Sequence, residues 1–376
     1  MASVVGLFFY SIGRRTEQGK IDTMINDTFY DFVLQNLDSA DAIYQPTSFW
    51  METVDSIGPQ LRDGGVARFR SHSGCGKFFC PTYLIESLSA FDPDITKTFV
   101  GELEANGLGR KQKALLQQLL VGHHLALADY RAYLAGDVDV GSLNLSHASE
   151  SALGEPAGQC EFDGRVFSRS MLNYLNLLVF LKRNVDCSGI KHVLEIGGGF
   201  GTLGEILISD PDREYTYVDL DIPPTIYPAS WYLDQVAGDQ FASAIDFKEG
   251  EISFSQIESK SCVFPTWYLP RLRGSFDLFV NSISFQEMEP RVVRNYAAQI
   301  ARLQCRYVLL RNLREGKPKK NSSSASPCVE EPVVSESYDQ IFAAEGYRLI
   351  GENVHPFGFA TADGFHSEIR LYASDA

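Results

Sequence analysis

The chain of 376 residues carries 33 basic against 48 acidic residues, a formal charge of −15 at pH 7, which argues against a nucleic-acid partner because phosphate neutralisation needs a concentrated Lys/Arg surface. A hydrophobic fraction of 44% with 22% charged residues marks a globular chain with a large core and excludes a disordered one. At ~100–200 residues per domain the length suggests two or three domains, or one large elaborated one.

The first apolar run, Val4 to Ile12, is far short of the ~18–20 residues that span a bilayer. Arg14 and Arg15 follow that run instead of preceding it as in a leader, so neither export nor a membrane is expected. Seven cysteines, at 75, 80, 160, 187, 262, 305 and 328, are an odd number and make no disulfide framework in so long a chain, which fits a reducing, cytoplasmic setting. His72, Cys75 and Cys80 are the one local group with metal-ligand chemistry. No nearby fourth ligand completes them, so they read as ordinary thiols and no metal is expected.

Between Lys111 and Ala135 leucines, His123, His124 and Tyr130 recur at three- and four-residue spacing, predicting a helix preceded by Gly107 and Gly109 and C-capped by Gly136. Segment 141–164 is rich in Gly, Ser and acidic residues, with Gly154-Glu155-Pro156 in its middle. It marks a boundary, dividing a mainly helical N-terminal domain (1–160) that binds the acceptor or acts as a lid from a second domain (161–376).

From Arg165 onward helices alternate with short apolar strands. An amphipathic helix is predicted over Phe167 to Val185, strands at 192–196, 214–219, 276–281 and 306–310, and helices at 202–209, about 228–243 and 290–304. This alternation predicts an α/β, Rossmann-like, doubly wound and mostly parallel sheet. Lys317 to Pro332 reads as a mobile loop, followed by a helix at about 336–345. Tyr347 to Glu352 and Ser367 to Ala373 have no helix between them, so an antiparallel pair should close the sheet edge, with the last strand antiparallel.

The strongest signal is His192-Val-Leu-Glu-Ile-Gly-Gly-Gly-Phe-Gly-Thr-Leu-Gly204, a strand running through glycines into a helix. Such a turn lets backbone approach a ligand and points helix-start N–H groups at it. Two registers fit. Gly199, Gly201 and Gly204 have the dinucleotide spacing, with Asp219 about twenty residues on, but then Gly197 and Gly198 would have to end a strand. Starting at Gly197 gives Glu195-x-Gly197-x-Gly199-x-Gly201, with a carboxylate that would repel a pyrophosphate and suits a ligand with an ammonium and a sulfonium.

The second register resembles the first motif of class I S-adenosylmethionine-dependent methyltransferases. The resemblance implies S-adenosyl-L-methionine as cofactor and S-adenosyl-L-homocysteine as product, with Asp219 as the acid for the ribose hydroxyls, Asp221 a less well placed substitute, and Leu220 beside it. A narrower likeness extends over most of the chain. Tyr44-Gln-Pro-Thr-Ser-Phe-Trp50, Phe69-Arg-Ser71, Phe78-Phe-Cys-Pro-Thr-Tyr83, Gly164-Arg-Val-Phe-Ser168 with Leu172-Asn-Tyr174, Val218-Asp-Leu-Asp-Ile-Pro-Pro224 and Phe276-Asp-Leu-Phe-Val-Asn-Ser-Ile-Ser-Phe-Gln-Glu-Met288 look like a sugar O-methyltransferase family of that class. It implies methylation of a hydroxyl on a small or sugar-like acceptor. A non-sugar acceptor, an NAD-dependent oxidoreductase and a non-catalytic binding module are the competing readings.

Ligands of such sheets sit at the carboxyl ends of the strands, which selects Glu195 to Gly201, Asp219 to Ile222 and Asn281 to Glu287. Asn281 and Ser282 would meet the methionine moiety, and Gln286 the acceptor. Glu287 either compensates a helix N-terminus or acts on the acceptor's proton. Adenine would lie on Phe247 to Ile252 or on Val263 to Trp267, with Trp267 a stacking partner in the second, favoured case. His355 and His366 flank the last hairpin as further proton acceptors, or as hydrogen-bonded structural residues. Tyr44, Trp50, Phe69, Arg70, Phe78, Phe79 and Tyr83 would shape the acceptor side, for a ring-bearing or partly anionic molecule, unless they are core. The N-terminal helices offer a homodimer surface without any heptad pattern.

Overall fold

The alternating runs after residue 160 become one nine-stranded sheet with interleaved helices in a computed structural model. The structure describes residues 28–71, 75, 79, 83, 98, 101–102, 105, 107, 109–112, 114–115, 122–137, 143–156, 158–320, 328–361 and 364–375. Before the sheet come α1 (Ser48–Gly64), α2 (His123–Gly136) and a hairpin of β1 (Cys160–Phe162) and β2 (Arg165–Phe167). There follow α3 (Arg169–Asn184), β3 (His192–Ile196), α4 (Thr202–Ile208), β4 (Thr216–Asp221), α5 (Ile226–Ala237), β5 (Phe241–Ser243) and β6 (Ser261–Pro265). The chain ends with β7 (Leu278–Ser282), α6 (Pro290–Arg302), β8 (Tyr307–Leu313), α7 (Ser335–Ala344), β9 (Tyr347–Asn353), β10 (Phe359–Ala360) and β11 (His366–Ser374).

The strand order is β10-β11-β8-β7-β3-β4-β6-β5, with β9 also paired to β11. The six strands from β8 to β5 are parallel, and β11 is antiparallel to β8, β9 and β10. This is the expected Rossmann-like, doubly wound sheet with an antiparallel last strand. Because the chain leaves β3 for β4 on one side and returns to β7 on the other, the crossovers diverge between β3 and β7 and leave a crevice at their carboxyl ends.

Strand β3 occupies the span read from its apolar run; flanked on both sides, it buries Val193 through Ile196, as parallel central strands do. Its partner β4 runs two residues further than expected, to Asp221. The third strand of the half-sheet is β6, the favoured segment, whereas Phe247 to Ile252 contributes a turn ending at Phe247 and a single bridge, Ile252 to Leu272. The predicted helix at about 228–243 stops at Ala237, and its tail becomes edge strand β5.

Helix α3 starts where the Ser168 hydroxyl accepts the Met171 N–H at 3.1 Å and ends in Lys182 and Arg183, charges that suit its carbonyl terminus. It is not the one-sided helix expected: Met171 and Leu172 and every residue from Tyr174 to Lys182 are buried, because α2 packs against it. Gly136 belongs to that contact. It lies inside α2, not beyond its end, and a Cβ there would stand 2.5 Å from Val179 Cγ1 and 2.7 Å from the Phe357 ring.

One hydrophobic cluster runs from Phe29 to Tyr372. Residues of the expected N-terminal domain therefore share a core with the sheet; the Phe69 ring, for example, lies among those of Phe79, Phe200, Trp231 and Tyr232. The ends of the loop read as mobile are bridged, Lys319 to Val329. Its residues 321–327 lie outside the described ones, as do Val4 to Ile12, His72, Phe78 and Cys80. Among the described residues no helix is long and apolar enough to cross a membrane, and no group of three His, Cys, Asp or Glu is placed to hold a metal ion.

Candidate functional site

The glycine turn follows β3 directly. Gly197, Gly199 and Gly201 take positive φ of 75°, 69° and 101°, the left-handed region that disfavours any side chain. A Cβ on Gly197 would lie 2.3 Å from Ser284 Oγ and one on Gly201 2.6 Å from Leu233 Cγ, while Gly199 has nothing within 4 Å. Its backbone is open to a cavity of about 610 Å³ lined by the turn, by Leu220 and Asp221, and by Ser282, Ile283 and Glu287.

Three carboxylates lie beneath or beside the turn. Glu195 is fully buried and accepts from the Tyr174 hydroxyl at 2.7 Å and the Tyr217 hydroxyl at 2.5 Å. Burial pushes its carboxyl up to about 7 against those two hydrogen bonds. Asp219 accepts the Gly198 N–H at 3.0 Å, and its Oδ2 is buried without a partner. Burial, then the charges of Asp221 and Glu195, hold it well above the usual carboxylate range. Neither Glu195 nor Asp219 lines the cavity. Asp221 does, with its carboxylate accepting from Gly199 N–H at 3.2 Å, Ile222 N–H at 2.7 Å and Thr225 Oγ1 at 2.5 Å. Burial raises it to about 6. Of the two, Asp219 braces the turn from behind and Asp221 meets the cavity.

At the end of β7, Ile283 holds φ 78°, rare for a β-branched residue and costing ~1–3 kcal/mol, while its N–H donates to the Arg311 carbonyl at 2.7 Å. The kink carries the chain into a 3-10 turn, Ser284–Glu287. Glu287 faces the cavity with Lys317 Nζ at 3.6 Å. Burial pushes Glu287 up to about 7, although Lys317 and a hydrogen bond from Trp50 act the other way. Trp50, Phe49 and Phe79 also line the cavity, so the N-terminal segment does contribute to this wall.

Several expected site residues lie elsewhere. Asn281 is consumed structurally, donating to the Ile196 carbonyl and Ser284 Oγ and accepting from Phe285 N–H and Asn312. Gln286 ties the turn to β8 by accepting the Leu313 N–H at 2.6 Å. Trp267 packs on the core outside the cavity, whose wall on that side is Thr266. Tyr44 is buried, with its carbonyl accepting from Thr266 Oγ1 at 2.6 Å. Tyr83 donates to Asp129 at 2.7 Å. Arg70 is buried in an ion pair with Glu150 at 2.9 Å, its guanidinium 4.6 Å from the Phe200 ring, so it is a core cation and not an acceptor ligand.

His355 is exposed on a turn, and His366 pairs with Glu315 at 2.6 Å; neither lines the cavity. Both partners of the His366 pair are more than a third exposed, and such pairs contribute ~0–1 kcal/mol. His366→Ala is therefore expected to lower the unfolding free energy by less than about 1 kcal/mol in a urea titration; a larger loss would show the pair anchors β11. Sequence reading passed over Arg169, Arg311 and Lys317, all on the cavity wall. Arg311 was detectable as a lone charge in the apolar run of β8.

No family model and no curated protein matches the chain. Among solved structures it is similar to magnesium protoporphyrin IX methyltransferase from Synechocystis PCC 6803 with bound SAM, at 12% identity over 55% of this chain and 81% of that one, with a TM-score of 0.35. The glycopeptide N-methyltransferase MtfA complexed with S-adenosyl-L-methionine is similar at 13% identity over 53% and 92%, TM-score 0.34. The mitomycin 7-O-methyltransferase MmcR is similar at 16% identity over 54% and 53%, TM-score 0.34. At this identity and overlap the likeness carries no functional argument, which has to come from the cavity itself.

Proposed function

We propose that the chain transfers a methyl group from S-adenosyl-L-methionine to a hydroxyl of a small-molecule acceptor, with a sugar-like acceptor as the finer reading. The observation that carries this is a glycine turn opening on a cavity with three buried carboxylates, Glu195, Asp219 and Asp221, at its back. A pyrophosphate laid there would be repelled, whereas a cationic ligand lowers the cost of holding those acids close together. The site therefore fits this cofactor better than a dinucleotide.

In this reading the Gly197 to Gly199 backbone supports the cofactor and Asp221 accepts its ribose hydroxyls, as a carboxylate can accept two at once. The bound cofactor supplies an electrophilic methyl group for in-line displacement. What the chain adds is position and a proton acceptor: Trp50, Phe49 and Phe79 wall off water, and Glu287, half ionised near neutrality, takes the hydroxyl proton. Cys75, Cys160, Cys187, Cys262, Cys305 and Cys328 are all free thiols, which suits a reducing compartment such as the cytoplasm.

Calorimetric titration of the purified chain with S-adenosyl-L-methionine, S-adenosyl-L-homocysteine and NAD tests this. Micromolar binding of the first two is expected, with NAD binding at least a hundredfold weaker. NAD binding without S-adenosyl-L-homocysteine binding would replace the proposal with an oxidoreductase.

A further inference from the structure

We infer that the acceptor carries an anionic group, a carboxylate or phosphate, which seats on the Arg311 guanidinium at the β8 end of the cavity beside Arg169. This rests on the methyl-transfer reading for the word acceptor, though not for the anion site itself.

Arg311 is 2% exposed and lines the cavity. Its Nη1 reaches Ser282 Oγ at 3.4 Å, and its Nε is buried with no hydrogen-bond partner. Among the described residues no carboxylate stands within ion-pair distance of it. A second guanidinium crowds the first: Arg311 lies 5.2 Å and Arg169 5.6 Å from the centre of the same ring, Phe359. The acid whose charge reaches both, Asp129, is engaged by the Tyr83 hydroxyl at 2.7 Å. A buried guanidinium on a cavity wall with an unpartnered Nε is an arrangement that a ligand anion would balance. Guanidinium groups are suited to that task because their planar N–H fork matches carboxylate and phosphate oxygens.

Position assigns the anion to the acceptor and not to the cofactor. The turn and Asp221 place the cofactor over β3 and β4, and β8 lies beyond β7 on the opposite side. At ~4.8 Å per strand, Arg311 starts roughly 10 Å from β3. Phe359 and Phe365 line the same end, flat surfaces for a ring that bears the anionic group.

Isothermal titration of the full chain saturated with S-adenosyl-L-homocysteine decides this, using inorganic phosphate and benzoate as probes. Wild-type protein is expected to bind at least one probe. Arg311→Met should weaken that binding at least tenfold and change S-adenosyl-L-homocysteine affinity by less than about threefold, while Arg311→Lys, which keeps the charge and most of the stem, recovers part of the loss. Absence of probe binding by wild-type protein overturns the inference. So does a tenfold loss of S-adenosyl-L-homocysteine affinity in Arg311→Met with 5′-methylthioadenosine affinity unchanged, because the anion is then the cofactor's own carboxylate. If wild-type protein binds no S-adenosyl-L-homocysteine, the cofactor reading has failed, yet probe binding to the free chain and its loss in Arg311→Met still decide the anion site.

Discussion

Asp221→Asn is expected to weaken S-adenosyl-L-homocysteine binding by roughly two powers of ten, while Asp219→Asn leaves it within about threefold. The difference follows from where each carboxylate points. Asp221 faces the cavity and also holds the Gly199 N–H at 3.2 Å. An amide in its place keeps one acceptor for Thr225 and Ile222 but can turn an NH₂ toward both the Gly199 N–H and the ribose. Hydrogen bonds to a charged group contribute ~1.5–3 kcal/mol each, and ~1.4 kcal/mol is a factor of ten in affinity, so loss of two such contacts gives the stated effect. Burial and its two acidic neighbours push the Asp219 carboxyl well above the usual range, so a neutral side chain is tolerated there, and Asn retains the carbonyl that accepts the Gly198 N–H. Calorimetry on both variants, with thermal melts to confirm folding, ranks them. The opposite ranking would return the ribose to Asp219.

That pair also shows where sequence stops being sufficient. Asp219 and Asp221 are two residues apart and face the same side of β4, so alternation cannot separate them; only the point where the strand ends can. The strand continues to Asp221 because that residue still pairs with Pro265 of β6, a contact 44 positions away. The nearer signal was Pro223-Pro224, which bars the strand from going further. The β3 strand and its glycine turn were legible because an apolar run and backbone freedom are local properties. Arg70 was not: what makes it a core cation is Glu150, inside the 141–164 segment that reads as a boundary. Asn281 and Gln286 have the residue types of ligand groups, and their partners on β8 become visible only when the fold closes. Gly136 reads equally well as a cap or as a point of close approach until Val179 and Phe357 are in place.

Glu287→Gln should lower kcat by roughly 10²–10⁴, the usual range for loss of a positioned proton acceptor, with S-adenosyl-L-homocysteine affinity within about threefold of wild type. Gln keeps the size and hydrogen-bonding reach of the side chain, including toward Lys317 and Trp50, and removes only its basicity. The pH profile carries the same assignment. Glu287 must be ionised to accept a proton, and burial holds its pKa near 7 where an exposed glutamate would titrate near 4.5. Wild-type kcat should therefore fall tenfold per pH unit below about 7 and level off above it. Lys317 is the nearest opposing charge, at 3.6 Å; Lys317→Met removes it, so the acidic limb should move to higher pH, whereas loss of a merely structural contact would lower kcat without moving the limb. An unchanged pH profile in Glu287→Gln would assign the proton transfer to another group. Arg311 and Tyr174 are the cavity-lining alternatives at that end, but burial leaves Arg311 protonated up to about 10 and holds Tyr174 well above its ordinary value, so neither can act as a base near neutral pH. Asp221, raised to about 6, also titrates near that range, but it is held by Gly199, Ile222 and Thr225, which leaves Glu287 as the proton acceptor on the acceptor side.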